Sequence, residues 1–348
     1  VGALVVGCTW VDGTESADPG DAVATAAVSR QGRLPGGALR GLVALGAPVA
    51  DESRQRIRRA ADRAVQRRSR PTEVLEVEQT DGPFVLDAQA AWTLALAHHV
   101  TGEQRYAMAA GRIVDGWVGT AGRVEGACPT SGGCPTSLMV SRSAPALIFA
   151  VDLLRSNGAY GREQTEAFRV WLRRIVLPVA SDRDNNWGDA GTYLRAAIGA
   201  TLGDRALLEG AARRWRERLD LVRPDGQIPE EVRRGRASLM YSQDALDYKV
   251  ATADILGRAG IDVWNERGER GGTLRAALEL VADGLGDPGG WPASDGDIRV
   301  PDPSGVWSVA AARWPTATFL ALARAAAEDD GSAHSAVLWT GVTHPVAS

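Results

Sequence analysis

The stretch Trp187–Val222 reads WGDAGTYLRAAIGATL, then Gly203-Asp204, then RALLEGAARRWRERLDLV. The first part is apolar on most sides. The second carries Arg213, Arg214, Arg216, Glu217 and Arg218 between its apolar residues. An apolar-all-round helix is buried, and an amphipathic helix covers it. Gly203-Asp204 supplies a stop and a fresh start. The stretch therefore predicts an inner helix, a tight turn and an outer helix. Val85–Val100, the turn Thr101-Gly102-Glu103 and the helix Glu103–Val118 repeat the pattern.

On either side of this stretch, helical spacing also predicts helices at Glu52–Arg68, Arg162–Val176, Ser238–Arg258, Thr273–Leu285 and Thr316–Ala327. Ser143 is expected to cap a helix over Ala146–Arg155 that takes Pro145 in its first turn. Glu73–Glu78 alternates and reads as one short strand, and Asp295–Pro303 as a long loop or small hairpin. No βαβ pattern or dinucleotide fingerprint is present. Repeated inner–outer hairpins give an all-α chain, an incomplete α/α toroid or an α-solenoid.

Composition sets the outer bounds. Of 348 residues, 45% are hydrophobic and 24% charged, which excludes a mostly disordered chain. The net charge of −4 argues against a nucleic-acid partner. No apolar stretch reaches about 18 residues, so no transmembrane helix is expected. Lys249 is the only lysine; with so much Ala, Gly and Arg, this reads as coding bias. Most of the eleven tryptophans are expected in the core, the remainder as platforms for sugar rings.

Residues 1–50 read as a signal remnant and flexible tether, and 51–348 as the toroid domain. Cys8 follows Leu4-Val5-Val6-Gly7, like the end of a bacterial lipoprotein signal, which makes it a candidate lipid anchor. Cys128 and Cys134 bracket a loop with Pro129, Gly132 and Gly133, and Pro135 follows it. A disulfide there implies an oxidising compartment, hence a secreted, periplasmic or cell-surface protein. Two free thiols are the alternative. The spacing does not suit a metal.

Two segments carry candidate chemistry. Asp184-Asn185-Asn186-Trp187-Gly188-Asp189 heads an inner helix, where Asn is both a natural cap and a neutral hydrogen-bond donor. Asp225–Tyr241 holds Ile228-Pro229-Glu230-Glu231, then Arg233, Arg234 and Arg236, then Tyr241. Arg234 and Tyr241 lie seven residues apart. That is one face of a continuous helix, or a loop-to-helix join at Gly235; either brings guanidinium and phenol together.

Gly226–Leu246 resembles the central motif of alginate lyases of the α/α toroid kind, with Ala245-Leu246 in register. Asn185-Asn186 resembles the family's Asn-Asn-His motif, with Trp187 in the place of its histidine. Leu96–Tyr106 resembles the wider superfamily, and the likeness spans roughly residues 85–325. The resemblance implies a polysaccharide lyase acting on an acidic polysaccharide; a monomer without cofactor or metal is expected. It implies Tyr241 as the proton-transferring group, Arg234 beside it, and Asn186 on the uronate carboxylate. Asn185, Trp187, Arg142, Arg236 and Tyr248 are the candidate substrate-binding residues. Trp187 is expected either to stack on a sugar or to fill the core. His98 or His99 could enter as a second acid/base from another hairpin, although two histidines at the end of an inner helix are more often packing or surface residues.

Free tyrosine has a pKa near 10, and lowering it by about two units takes ~2.7 kcal/mol, which nearby arginines could supply. If Tyr241 acts as both base and acid, the C5 hydrogen and C4 oxygen must share a face, as in mannuronate and glucuronate. Three rivals are a toroidal hydrolase using Asp189 and Asp244, a non-catalytic glycan-binding lipoprotein, and a plain helical scaffold for protein partners.

Overall fold

The structure is a computed structural model that describes residues 51–79, 81–130, 134–293 and 297–328. The tether, Cys8 and the last twenty residues of the toroid expectation lie outside the described residues.

Twelve α-helices are described: α1 (Asp51–Ala64), α2 (Pro83–Thr101), α3 (Gln104–Thr120), α4 (Pro135–Ser156), α5 (Arg162–Trp171), α6 (Asn186–Leu202), α7 (Arg205–Leu219), α8 (Pro229–Val232), α9 (Ser238–Arg258), α10 (Leu274–Gly286), α11 (Val306–Arg313) and α12 (Ala317–Glu328). The only strands among the described residues are β1 (Val74–Leu75) and β2 (Arg123–Val124), paired in parallel. They realise two residues of the strand expected at 73–78.

Helices α2, α4, α6 and α9 form the inner row, each packed on the next. Helices α1 and α3 cover α2, α7 covers α6, and α10 covers α9. Each inner helix is followed by an outer return, so the inner helices run in one direction. The architecture is an incomplete α/α toroid.

The turns explain the hairpins. Gly102 and Gly203 end α2 and α6 at φ +74° and +65°, a conformation that glycine adopts without a Cβ penalty. Asp204 then accepts the Leu207 N–H at 3.1 Å and starts α7 immediately. Thr273 does the same for α10 through the Ala276 N–H.

Two expectations are corrected. Pro145 does not open a helix at 146: α4 runs unbroken from Pro135 to Ser156, with Pro145 inside it. An interior proline costs about 3 kcal/mol, but every residue from Thr136 to Leu154 is buried, which offsets it. By length and composition α4 is also the one described helix that could cross a membrane, yet its apolar window is wholly buried in the fold. It is the central core helix. The second correction is α11, which the helical pattern did not show.

Cys128 and Cys134 form a disulfide with Cα atoms 5.5 Å apart. Trp92, Trp117, Trp171, Trp215, Trp264, Trp291 and Trp307 are all core residues.

Candidate active site

Parallel inner helices put their N-termini at one mouth of the toroid. Asn186 opens α6 there, and Tyr241 lies in the first turn of α9. At the opposite end, His98 Nδ1 is 3.2 Å from the Glu103 carbonyl oxygen, and His99 meets Asn157 at the foot of α4. Neither histidine reaches the mouth.

The head of α6 is fixed by close backbone approach. A Cβ on Gly188 would lie 1.7 Å from the Arg183 carbonyl oxygen, and one on Gly191 2.0 Å from that of Ser181. Only glycine lets the 181–184 segment lie flat against this helix. Asn185 caps α6, its side chain accepting the Trp187 N–H at 3.1 Å. Asn186 is buried, and its side-chain oxygen makes no hydrogen bond within the protein. Trp187 is half-buried against the core, with the Arg183 guanidinium 4.4 Å from its ring centroid.

The arginine turn is a loop-to-helix join. Gly235 has φ +58°, a short 3-10 turn follows at Gly235–Ala237, and α9 begins at Ser238. This folds the exposed Arg234 guanidinium over the Tyr241 ring, 4.2 Å from its centroid. Arg236 turns away and pairs with Asp297, while its carbonyl accepts the Arg299 N–H at 2.8 Å.

Glu231 joins the two segments. It is fully buried, and its Oε1 accepts the Asn186 backbone N–H at 2.6 Å. Burial pushes its carboxyl up to about 7, Asp189 adds to this, and the Asn186 N–H, Arg234 and Arg218 act in the opposite sense. Beneath it, Asp189 accepts from Lys249 Nζ at 2.6 Å and from Arg218 Nε at 3.2 Å. Burial raises Asp189, but these cations outweigh it and hold the carboxyl below its ordinary range. Burial lowers Lys249 to about 8 despite the attraction of Asp189.

Deeper in the ring, Arg142 on α4 faces Tyr248, Asp244 and Asp247 on α9. Arg142 and Tyr248 are both buried, two turns below Tyr241, and Tyr248 stacks on Tyr193 with centroids 6.2 Å apart. Burial is the main cause that raises the Tyr248 phenol. Asp247 is likewise pushed well up by burial, while Ser304 donates to it at 2.5 Å.

The mouth thus gathers Asn186, Asn185, Trp187, Arg234 and Tyr241. Arg142 and Tyr248 stand below it, and Arg236 faces the neighbouring loop. Glu231, Arg218 and Lys249 were not singled out as site residues from the sequence. The lone lysine was the available signal, and it is buried on a carboxylate under the site. Among the described residues, no group of three or more His, Cys, Asp or Glu is arranged to hold a metal ion.

A family model described as alginate lyase matches residues 84–291. No curated protein sequence matches the chain. Among solved structures, an alginate lyase from Bacteroides ovatus superposes with a TM-score of 0.63 at 17% identity, covering 84% of this chain and 94% of that one. Alginate lyase A1-III from Sphingomonas species A1 gives 0.63 at 18% identity, covering 93% and 99%. A variant of alginate lyase A1-III complexed with a tetrasaccharide gives 0.62 at 18% identity, covering 78% and 90%. At these identities the structural likeness is one of fold.

Proposed function

The chain belongs to the alginate lyase family and is a polysaccharide lyase, and from that premise we propose that it cleaves a mannuronate- or glucuronate-type glycan by β-elimination. Tyr241 transfers the proton, and Asn186 and Arg234 engage the uronate carboxylate. The observation that carries this reading is the Arg234 guanidinium 4.2 Å from the Tyr241 ring centroid, in a turn tied by Glu231 to Asn186.

The C5 proton of a uronate is weakly acidic while the adjacent carboxylate keeps its full charge. Hydrogen bonds to that carboxylate spread the charge and stabilise the enolate-like transition state. The Asn186 amide is not locked into the protein's own hydrogen bonds through its oxygen, and Arg234 presents a planar, permanently charged donor. Tyr241 takes the C5 proton. The C–H electrons become the C4–C5 double bond, the C4–O4 bond breaks, and O4 receives the proton from Tyr241. One group serves both ends only where the C5 hydrogen and O4 share a face, which selects mannuronate and glucuronate.

Trp187 occupies the place of the family's histidine, consistent with a single residue doing both transfers. Hydrolysis by a pair of carboxylates fits poorly, because Asp189 is committed to Lys249 and Arg218. The disulfide supports a location outside the cytoplasm; Cys8 is the proposed lipid attachment point, and the enzyme is proposed to act as a monomer without a cofactor.

The test is a time course of the ultraviolet absorbance of unsaturated uronate, with polymannuronate, alginate, glucuronan, hyaluronan and pectate. A rise on mannuronate or glucuronate polymers is expected. A rise on pectate alone contradicts the same-face assignment, and new reducing ends without absorbance contradict elimination.

A further inference from the structure

Glu231 uses only half of its carboxylate. Oε1 accepts the Asn186 N–H at 2.6 Å, while Oε2 is buried with no hydrogen-bond partner. If the residue merely capped the first turn of α6, a glutamine would supply the same acceptor without a buried charge. Charged groups face it from three helices and the arginine turn: Asp189 on α6, Arg218 on α7, Lys249 on α9, and Arg234. Three of these, Asp189, Arg218 and Lys249, are bound to one another in a buried ion cluster. Arg234 is the one that reaches the mouth, and its backbone N–H bonds the Glu231 carbonyl at 3.0 Å.

We propose that Glu231 is a positioning residue, whose ionised carboxylate ties the helix carrying Asn186 to the turn carrying Arg234 and sets the distance at which both meet one substrate carboxylate. This rests on the reading of Asn186, Arg234 and Tyr241 given above. The charge attracts Arg234 toward the Asn186 side of the mouth, and the backbone hydrogen bond fixes the first turn of α6 against it. Protonation weakens both ties at once. Since burial raises the carboxyl to about 7, the competent form is lost on the acid side of neutrality.

The test compares Glu231→Gln, Glu231→Asp and Tyr241→Phe with the unmodified protein, in steady-state rates across pH and in thermal denaturation. Glu231→Gln is expected to fold, to melt at or above the unmodified protein at pH 8, and to lose kcat roughly ten- to hundred-fold with little change in KM. Its profile is expected to lack the acid limb near neutrality. Glu231→Asp, charged but too short for the 2.6 Å contact, is expected to keep a titrating limb at a reduced rate. A lower melting temperature for Glu231→Gln at pH 8 would mean a purely structural role and overturn the proposal. So would an unchanged rate with the acid limb intact. The melting arm needs no substrate. If Tyr241→Phe is inactive while Glu231→Gln is unchanged, only the positioning role falls; if Tyr241→Phe is fully active, the site reading falls and the positioning role with it.

Discussion

The Arg234 guanidinium carbon lies 4.2 Å from the centroid of the Tyr241 ring. Gly235 makes this contact by turning the chain through φ +58° between the arginine and the start of α9. A permanent cation is thereby placed beside the phenol proposed to move the proton, and it stays exposed to the mouth where an anionic polymer would arrive. An exposed cation–π contact is worth only about 0.5–1 kcal/mol of stability. The contact therefore matters for chemistry more than for folding.

Arg234→Ala is expected to lower kcat/KM by about two orders of magnitude while shifting stability by no more than about 1 kcal/mol. Arg234→Lys keeps the charge but loses the planar fork, so it should recover only part of the rate. Initial rates and denaturant titrations on the three proteins check this. Equal rates for all three would remove Arg234 from the site.

Gly191→Ala would place a Cβ 2.0 Å from the Ser181 carbonyl oxygen and 2.6 Å from the Ser181 nitrogen. Neither atom is the end of a flexible side chain, so the backbone of one segment must move. The expected cost is about 2 kcal/mol or more. Gly210→Ala is the control, because its Cβ would meet only the Arg213 guanidinium at 3.8 Å; in a helix it should be neutral or stabilise by up to about 1 kcal/mol. Urea unfolding midpoints distinguish the two.

The hairpins were legible because burial imposes opposite patterns on inner and outer helices, as in α6 and α7. The helix Ser238–Arg258 has the bounds that its spacing predicts. Helix α4 was not legible in full, since local chemistry at Pro145 argues for a start and only tertiary burial keeps the helix whole. Tyr241, Arg234 and Asn186 stood out through residue types at fixed spacing. Glu231 did not, because nothing local separates it from Glu230: one is buried and the other half-exposed only because α8 presents one side to α6. Lys249 was visible as the chain's sole lysine, but its partner Asp189 is sixty residues away. No linear pattern joins them.

Glu231 also makes stability depend on pH. Its folded-state pKa is raised from an ordinary 4.5 to about 7. Its favourable contribution is therefore fully present below 4.5 and is lost as pH rises through about 7. Each tenfold change in an acid constant corresponds to about 1.4 kcal/mol. The advantage of the unmodified protein over Glu231→Gln should therefore fall by about 3 kcal/mol between those limits. Denaturant unfolding of both proteins at pH 5 and pH 8 measures most of this change. A difference that does not vary with pH would contradict the raised pKa.

Tyr241 is proposed to carry the proton in a β-elimination. The direct measurement is the rate of unsaturated-uronate formation by Tyr241→Phe and by the unmodified protein on the same polymannuronate or glucuronan, with melting curves to confirm that both are folded. Removing one half-buried hydroxyl should leave the fold intact and reduce the rate by at least about a thousand-fold. A folded Tyr241→Phe protein that retains the full rate would show that Tyr241 does not carry the proton.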